Sequence, residues 1–533
     1  MENDIVRDVT CVNDLNNNYI NKIVPMANDI YRELRIGIPQ RFTNYLSGSK
    51  CVLIFSDKST RTYDSFNGSF QALGASNIVG IRKADESSLK KGESLFHTID
   101  TYIGQGTGAD LIITRHEREG AAKWAMISAF RSFAKKIREF ASVYHCYPHN
   151  LKLPIILSGG DGQYNHPSQA LLDCSTIYHY KKKNIFGLKL GISNDISASR
   201  VASSLINLAK ILDWEMHFAP LPGTDLNERQ IFWLAQGVNY RCYKSLQEML
   251  PNIDFLYVNR YQFNQRGETT GVHAEKIFST DHPRVSLDLV WPFSIRVMHA
   301  RPIDKFAQEI TPDLYDHSLD ISGVQSDFGD PTRMAMCIYA IENQLFSLGG
   351  IIKTLNPKKM GFKRVDLGEK PSKKIKSGQY TKPYLDNAFV IDHIQSGCGE
   401  VISAQIRKLF PDIQIVLSLN IRGEKSNSAP KDVIKLHVGN SFHWSRELDN
   451  IVALFTDYTV EKSCRVSRFL NGSRIKKWAF RMPMEEKSQC INKRCITSPD
   501  LKEGIKFSFE EKRINGKTIK VCPFCEWPQE PFE

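Results

Sequence analysis

The sequence lacks long apolar runs, a signal segment and a dense set of cysteines. No window approaches the roughly 18 uncharged apolar residues that a membrane-spanning helix needs. The N-terminus, from Met1 to Asp8, is acidic and has no apolar core of the kind that a secretory signal carries, so we expect a cytoplasmic protein. Twelve cysteines in 533 residues are too few for a disulfide scaffold. Internal repeats are also absent.

The length is too great for one hydrophobic core and indicates three or four domains. The net charge of +12 fits nucleic-acid binding, or sites for phosphorylated and dicarboxylic small molecules together with a solvated basic linker. The position of the excess positive charge favours a basic linker. Between Lys353 and Lys382 there are ten Lys or Arg residues and only two acidic residues. We therefore predict a basic linker over residues 346–384.

Strand-like and helical runs alternate before this linker, which predicts an α/β fold with parallel sheets. The strand-like runs include Leu111–Ile113, Ile155–Leu157 and Phe255–Val258. After the linker, short strand-like runs flank a helical run near Val401 to Leu409, which predicts a small α+β domain.

Ser59-Thr60-Arg61-Thr62 follows an apolar strand-like run and opens a helical pattern. Hydroxyls, free backbone N–H groups and a guanidinium meet there at the positive end of a helix dipole, which is an arrangement that holds phosphate. The alternative is an ordinary helix cap, since Ser and Thr begin many helices for capping reasons alone.

Other polar side chains follow the predicted strands, where open parallel sheets form ligand crevices. Singly, each could be a surface salt bridge or a helix cap. Together they describe a crevice rich in guanidinium groups, without paired carboxylates or a nucleophile beside a base. They are Arg115, His166, Gln169, Arg200, Arg260 and Gln262.

With these motifs, the first 345 or so residues resemble the catalytic chain of aspartate carbamoyltransferases. The resemblance rests on Ser59–Thr62, the lysine loop Ser87 to Glu93, the pair Arg115-His116, and Gly160-Asp161-Gly162 with the following His166-Pro167-Ser168-Gln169. It implies a carbamoyl-phosphate-binding domain over 1–170, with a return helix near 325–345, and an aspartate-binding domain over 171–324. It also implies a homotrimer, or an assembly of trimers, in which the lysine loop reaches into a neighbouring chain's site.

The resemblance implies a role for each of these side chains. Carbamoyl phosphate would contact Ser59, Thr60, Arg61, Thr62, Ser87, Lys91, Arg115, His166 and Gln169. Aspartate would contact Lys91, Arg200, Arg260 and Gln262. The catalytic set would be Arg61, Thr62, Arg115, His166 and Lys91.

This assignment fits the chemistry, because carbamoyl phosphate already carries a good leaving group and needs orientation and charge stabilisation rather than a metal or a covalent intermediate. Two positions depart from the family pattern. The family's His-Pro-Leu-Pro-Arg loop reads His299-Ala300-Arg301-Pro302-Ile303, which adds a charge beside the site, and Asp57 stands where the family usually has Glu. A degenerate scaffold without transferase activity is therefore the alternative.

From about Leu385 onward the chain resembles the regulatory chain of bacterial aspartate carbamoyltransferase, as a domain over 385–480 and a second over 481–533. The matching motifs are Val390 to Ile394 and Pro430 to Lys435. The resemblance implies a site for ATP or CTP built from Asp392, His393, Lys431 and Lys435. Lys431 and Lys435 would share one strand face and could share a triphosphate. The alternative is a solvated sheet edge.

Four cysteines near the C-terminus have the spacing of two metal-binding hairpins. Cys490 and Cys495 are separated by four residues, and Cys522 and Cys525 by two, with 26 residues between the pairs. This spacing predicts a structural zinc ion in a β domain. A zinc ribbon that binds nucleic acid is a competing class, although Glu503, Glu510 and Glu511 interrupt any basic stripe.

Overall fold

The structure is a computed structural model of the whole chain. It describes residues 5–37, 39–56, 59–81, 92–104, 108–148, 151–181, 183–262, 277–304, 307–344, 347–357, 360, 362–368, 387–422, 429–439, 441–457, 463–471, 473–481, 489–501 and 503–531. Among the helices of these residues, none is both long enough and apolar enough to cross a membrane.

A four-stranded parallel sheet with the order β2-β1-β3-β4 organises the N-terminal part. Both faces are buried, because alternate residues of β1 point to opposite sides: Leu53 and Phe55 enter one core and Val52 and Ile54 the other. The strands are β1 (Lys50–Phe55), β2 (Asn77–Ile81), β3 (Leu111–His116) and β4 (Ile155–Asp161), and the helices are α1 (Asn17–Arg35), α2 (Thr60–Ala72), α3 (Leu95–Gly104), α4 (Ala121–Tyr144) and α5 (Pro167–Tyr180).

A five-stranded parallel sheet with the order β7-β6-β5-β8-β9 follows, so the predicted parallel α/β architecture is confirmed. Its strands are β5 (Lys189–Asn194), β6 (Glu215–Pro220), β7 (Tyr240–Cys242), β8 (Phe255–Val258) and β9 (Arg296–His299). Its helices are α6 (Arg200–Leu212), α7 (Glu228–Leu234), α8 (Leu246–Met249), α9 (Leu287–Val290), α10 (Pro312–Tyr315) and α11 (Ser322–Asp327). The next helix, α12 (Gly329–Glu342), returns to pack against α1, α2 and α5.

The C-terminal part contains a six-stranded sheet with the order β10-β15-β14-β11-β13-β12, whose pairings are all antiparallel. The elements are α13 (Leu348–Thr354), β10 (Lys363–Asp366), β11 (Asn387–Gln395), α14 (Cys398–Leu409), β12 (Gln414–Ile421), β13 (Lys431–His437), α15 (Arg446–Phe455), β14 (Arg465–Leu470) and β15 (Ser473–Arg481). A separate hairpin, β16 (Glu510–Ile514) and β17 (Lys517–Val521), follows. Short 3₁₀ helices occupy Val12–Asp14, Pro39–Phe42, Leu250–Asn252, Trp291–Phe293 and Pro499–Leu501.

We predicted a linker over residues 346–384, but the first half of this span contains a helix and a strand. Helix α13 buries Leu348, Ile351 and Ile352 in the same core as α4 and α15. Strand β10 pairs with β15 at the edge of the antiparallel sheet. Residues 369–386 lie outside the described part.

Helices α14 and α15 of the C-terminal part and the cysteine hairpins all pack on α4. Near the end of this helix, the buried Arg138 donates from Nη1 to the carbonyl oxygen of Thr456 at 2.9 Å. At its start, Gly120 has φ +80°, and a Cβ atom there would lie 2.7 Å from Phe524, so glycine is required both by conformation and by contact. One hydrophobic core thus runs from the first sheet into the C-terminal part.

Candidate active site

A cavity of about 720 Å³ lies where β1, β3 and β4 of one sheet and β5, β8 and β9 of the other end. Carboxyl ends of parallel strands are the usual ligand-binding edge of such sheets. All ten predicted substrate-contacting residues that the structure describes line this one cavity: Ser59, Thr60, Arg61, Thr62, Arg115, His166, Gln169, Arg200, Arg260 and Gln262. Ser87, Lys91 and Asp57 lie outside the described residues.

The start of α2 lines the cavity. Ser59 is the extended residue before the helix, and its hydroxyl makes no capping hydrogen bond within the described residues. A capping role alone therefore does not account for Ser59. Thr60, Arg61 and Thr62 occupy the first turn, whose backbone N–H groups are not used inside the helix. The N-terminus of this 13-residue helix favours an anion.

Arg115 ends β3 and is buried, with 4% of its surface exposed. Its Nη1 donates to the carbonyl oxygen of Gly159 at 3.0 Å and lies 3.4 Å from Nε2 of His166. Burial, and then Arg200, Arg115 and Arg333, hold the pKa of His166 well below its usual value. The imidazole is therefore neutral near pH 7 and stands in a strongly cationic surrounding.

Arg200 and Arg260 approach from the second sheet. Arg200 begins α6 and donates to the carbonyl oxygen of Gly162 at 3.3 Å. Arg260 follows β8, and its Nη2 pairs with Oδ2 of Asp304 at 3.0 Å while its side chain is 45% exposed. Burial, and then the charge of Arg260, lower the pKa of Arg61. These arginines repel one another, so an anion bound between them would relieve the repulsion.

Arg333, on α12, is a cavity residue that sequence reasoning missed. Its Nη1 donates to Oγ of Ser65 at 2.8 Å, and burial lowers its pKa to about 10. The sequence did contain a signal for this residue. Arg333 directly precedes the apolar helical run Met334 to Ile338, and a charged side chain beside such a run is rare unless it has a buried partner.

Arg301, the additional charged residue of the loop 299–303, forms an ion pair with Asp320. Nη2 of Arg301 lies 3.2 Å from Oδ2 of Asp320, whose side chain is fully buried, and its Nε donates to Oγ of Ser322 at 2.8 Å. The carbonyl oxygen of Ala300 accepts a hydrogen bond from Arg61 at 3.3 Å. The loop therefore presents backbone oxygen to the cavity while Arg301 is held by its neighbours.

The four predicted effector residues lie on adjacent strands of the antiparallel sheet. Asp392 contacts both Lys431, at 2.6 Å, and Nδ1 of His393, at 3.1 Å. Burial raises the pKa of Asp392, but hydrogen bonds and charge from His393 and Lys431 outweigh it and lower the pKa below its usual value. Lys435 follows on the same face of β13. Because β13 is paired with both β11 and β12, these lysines are not on a sheet edge.

The four C-terminal cysteines converge as their spacing predicted. All are buried, and their Sγ atoms lie within 4.8 Å of one another. Sγ of Cys490 is 3.7 Å from that of Cys525, and Sγ of Cys495 is 3.8 Å from that of Cys522. Thiolates about 2.3 Å from a tetrahedral zinc ion stand about 3.8 Å apart, so the donor set fits zinc and is too wide for disulfides.

The cysteine hairpins contact the segment between β3 and α4 directly. The N–H of Glu119 donates to the carbonyl oxygen of Arg494 at 2.9 Å, and the N–H of Ile496 donates to that of Glu119 at 2.9 Å. Glu119 also forms an ion pair with Arg229, whose Nη1 donates to the carbonyl oxygen of Cys525 at 3.1 Å. One ion pair thus joins both α/β parts to the cysteine cluster.

Comparisons with known proteins agree with this architecture. The family model described as aspartate/ornithine carbamoyltransferase, carbamoyl-P binding domain, matches residues 7–179. The chain is 30% identical over 310 residues to the aspartate carbamoyltransferase catalytic subunit of Halorubrum lacusprofundi, covering 57% of this chain and 87% of that one. It is 28% identical over 337 residues to the catalytic subunit of Methanosarcina barkeri, covering 63% and 97%.

Among solved structures, the catalytic subunit of M. jannaschii aspartate transcarbamoylase superposes with a TM-score of 0.51 at 27% identity. That match covers 63% of this chain and 98% of the other. Each of these three matches leaves more than a third of the present chain uncovered.

Proposed function

The chain belongs to the aspartate carbamoyltransferase catalytic subunit family, and we propose that it transfers the carbamoyl group of carbamoyl phosphate to the amine of L-aspartate. The products are N-carbamoyl-L-aspartate and phosphate, and the reaction belongs to de novo pyrimidine synthesis. The observation that carries this proposal is the single cavity lined by all ten described substrate candidates, which include the hydroxyls at the start of α2 and the arginines Arg200 and Arg260.

The phosphate would bind at the start of α2. Ser59, Thr60 and Thr62 supply hydroxyls, and Arg61 and Arg115 supply guanidinium groups that remain charged near neutral pH. Backbone N–H groups of the first turn add donors aimed at the anion. Binding here would also offset the repulsion that lowers the pKa of Arg61.

Catalysis then needs stabilisation of the negative charge that develops on the carbonyl oxygen and the departing phosphate. Thr62, Arg115 and His166 surround the position of the carbonyl, in a site where charged donors act strongly because water is largely excluded. Because its lowered pKa makes His166 a weak base, the leaving phosphate is the better acceptor for the amine proton. Ser87 and Lys91 would complete the site from a neighbouring chain of a homotrimer.

Aspartate would bind between Arg200, Arg260 and Gln262. Guanidinium groups pair with carboxylates, and the two side chains would grip the two carboxylates of the acceptor. Ornithine carries a distal ammonium instead, which these arginines would repel. This is why aspartate, rather than ornithine, is the proposed acceptor.

The direct test is product formation by the purified protein with aspartate or ornithine as acceptor. We expect carbamoyl aspartate to form, and to form faster than citrulline. Arg61→Ala should abolish this activity while the protein stays folded. Arg32→Ala is the matched control, because Arg32 is 70% exposed on α1 and forms an ion pair with the exposed Asp29. Faster citrulline formation, or full activity in Arg61→Ala, would overturn the proposal; an inactive folded parent would favour a degenerate scaffold.

For the C-terminal part, we propose a regulatory role in which Asp392, His393, Lys431 and Lys435 bind the nucleotides ATP or CTP. The support is the compact cluster of three of these side chains and the position of both lysines on one strand face. Addition of either nucleotide should change the aspartate concentration at half-maximal rate. Lys435→Ala should remove this response, and an unchanged response would place the effector elsewhere.

We propose that Cys490, Cys495, Cys522 and Cys525 hold one structural zinc ion, which would tie the two hairpins together as a closed tetrahedral site. The competing class is nucleic-acid binding. The hairpin β16–β17 carries both signs of charge, with Glu510 and Glu511 beside Lys512 and Arg513, which does not favour a phosphate backbone. A salt-dependent shift of DNA or RNA in a gel would support the competing class.

A further inference from the structure

Asp173 is a buried carboxylate that the roles above leave unused. It lies on α5, one helical turn after Gln169, and its side chain is fully buried. Its Oδ1 accepts hydrogen bonds from Nε2 of Gln169 at 3.0 Å and from Nε2 of Gln325 at 2.6 Å. Within the described residues its Oδ2 has no hydrogen-bond partner. Two amide groups therefore hold this carboxyl group in place.

Gln325 extends the contact to the second sheet. Its Nε2 also donates to Oη of Tyr257 on β8 at 3.2 Å, and its Oε1 accepts the backbone N–H of His299 at the end of β9, at 2.8 Å. Both Gln169 and Gln325 line the cavity. Asp173 thus fixes two amides at the boundary between the two sheets.

The chemistry of Asp173 sets which way each amide faces. A carboxylate only accepts hydrogen bonds, so both glutamines turn their NH₂ ends toward it. Because an amide carries its oxygen opposite its nitrogen, Oε1 of Gln169 faces away from this network, and the residue lines the cavity.

We infer that Asp173 is a positioning residue that makes the site select a carbamoyl group over an acetyl group in an acyl phosphate. The inference rests on the proposed function. A carbamoyl NH₂ donates hydrogen bonds, and Oε1 of Gln169 accepts one. The methyl of acetyl phosphate has the same size but no donor, so it leaves a desolvated acceptor unpaired.

The protonation of Asp173 does not change this orientation. Burial raises its pKa to about 8, against the lowering by the two amide hydrogen bonds. In the protonated form, the proton belongs on Oδ2, which has no partner, and Oδ1 still accepts from both amides. The selection therefore does not require an ionised group.

The test compares the dissociation constants of carbamoyl phosphate, acetyl phosphate and inorganic phosphate by calorimetry. We expect the unaltered protein to bind carbamoyl phosphate about tenfold more tightly than acetyl phosphate. In Asp173→Leu, which keeps the branched shape but removes the acceptor, this ratio should fall below about threefold. Binding of inorganic phosphate should stay within about twofold, because the start of α2 is untouched.

Asp173→Asn separates positioning from packing. Its Oδ1 can still accept from both amides, so it should restore most of the preference for carbamoyl phosphate. Ser175→Ala, on the same buried helix but outside this network, is the control for a general loss of stability. If Asp173→Leu does not fold, Asp173→Ser, whose hydroxyl is too short to reach the amides, should give the same loss of preference.

An unchanged ratio in the folded Leu or Ser variant would overturn the inference, as would an equal loss for all three ligands. Failure of the unaltered protein to bind carbamoyl phosphate would instead refute the proposed function. Binding of carbamoyl phosphate by the unaltered protein thus distinguishes a failure of this inference from a failure of the proposed function.

Discussion

Arg229 and Glu119 form an ion pair that water scarcely reaches, with side chains that are 0% and 1% exposed. The guanidinium group also lies over three aromatic rings, 5.1 Å from the centre of Tyr164, 5.2 Å from that of Trp233 and 5.1 Å from that of Trp527. Burial lowers the pKa of Arg229, but Glu119 and its neighbours outweigh burial and raise it. The guanidinium group of Arg229 therefore keeps its charge in the interior because the carboxyl group of Glu119 lies beside it.

We expect Arg229→Met to lower the free energy of unfolding by about 3–5 kcal/mol, because it leaves Glu119 buried without a partner. The double variant Arg229→Met with Glu119→Gln should be less destabilised than Arg229→Met alone. Urea unfolding measures both. Arg241→Ala is the control, because Arg241 is 65% exposed and its pair with Glu215 should contribute little. Additive losses in the double variant would show that the two charges are not coupled.

The buried ring of His299 makes stability depend on pH. Burial, and then Arg260, Arg301 and Arg61, lower its pKa to about 3, whereas an unfolded histidine has a pKa near 6.5. As the pH falls below about 6.5, the imidazole of His299 binds a proton in the unfolded chain but not in the folded chain. The free energy of unfolding therefore falls. The free energy of unfolding should fall between pH 7 and pH 5 in both proteins. The fall should be roughly 2 kcal/mol smaller in His299→Asn than in the unaltered protein, because the variant lacks this histidine. Urea unfolding at the two pH values measures these free energies. An equal fall in the variant and in the unaltered protein would contradict the prediction.

Zinc content provides the third prediction. Elemental analysis should find one zinc ion per chain, and Cys495→Ser should lose it and unfold at a lower temperature. Cys242→Ser is the matched control, because Cys242 is exposed and lies outside the cluster. Retention of a full zinc equivalent in Cys495→Ser would exclude the proposed ligand set.

Mixing of inactive variants tests the shared site. Arg61→Ala and Lys91→Ala should each be inactive in carbamoyl aspartate formation, and mixed trimers should recover part of the activity, since some sites then draw an intact Arg61 and an intact Lys91 from different chains. Mass spectrometry must first show that the trimers are mixed. No recovery in such trimers would mean that each chain builds its own site.

The sequence predicted the cavity well because parallel strands bring their carboxyl ends to one edge. Arg115 lies near the end of the apolar strand β3 and Arg260 follows the apolar strand β8, so their convergence required only the correct order of strands and helices. Arg333 and Asp173 were missed for a different reason. Each is a polar residue within an otherwise buried helix, and each has a partner far along the chain, Ser65 for Arg333 and Gln325 for Asp173.

The linker illustrates the same limit. Its basic composition indicated a solvated segment, yet Leu348, Ile351 and Ile352 form one apolar face of α13 that packs with α4 and α15. The apolar spacing is only one helical turn long, so local periodicity was too weak to predict a buried helix. Likewise, no local pattern indicated that Glu119 would contact the cysteine hairpins.

The contacts between Glu119 and residues 492–496 also set an order of events during synthesis. Segments near the N-terminus leave the ribosome first and begin to fold there, while Arg494 and Cys525 are still to be made. Until they arrive, Glu119 and Arg229 have neither the carbonyl oxygens nor the Trp527 ring that enclose them. Contacts between residues so distant in sequence form slowly. Completion of the interior around this pair is therefore a late step of folding that awaits the synthesis of residues 494–527.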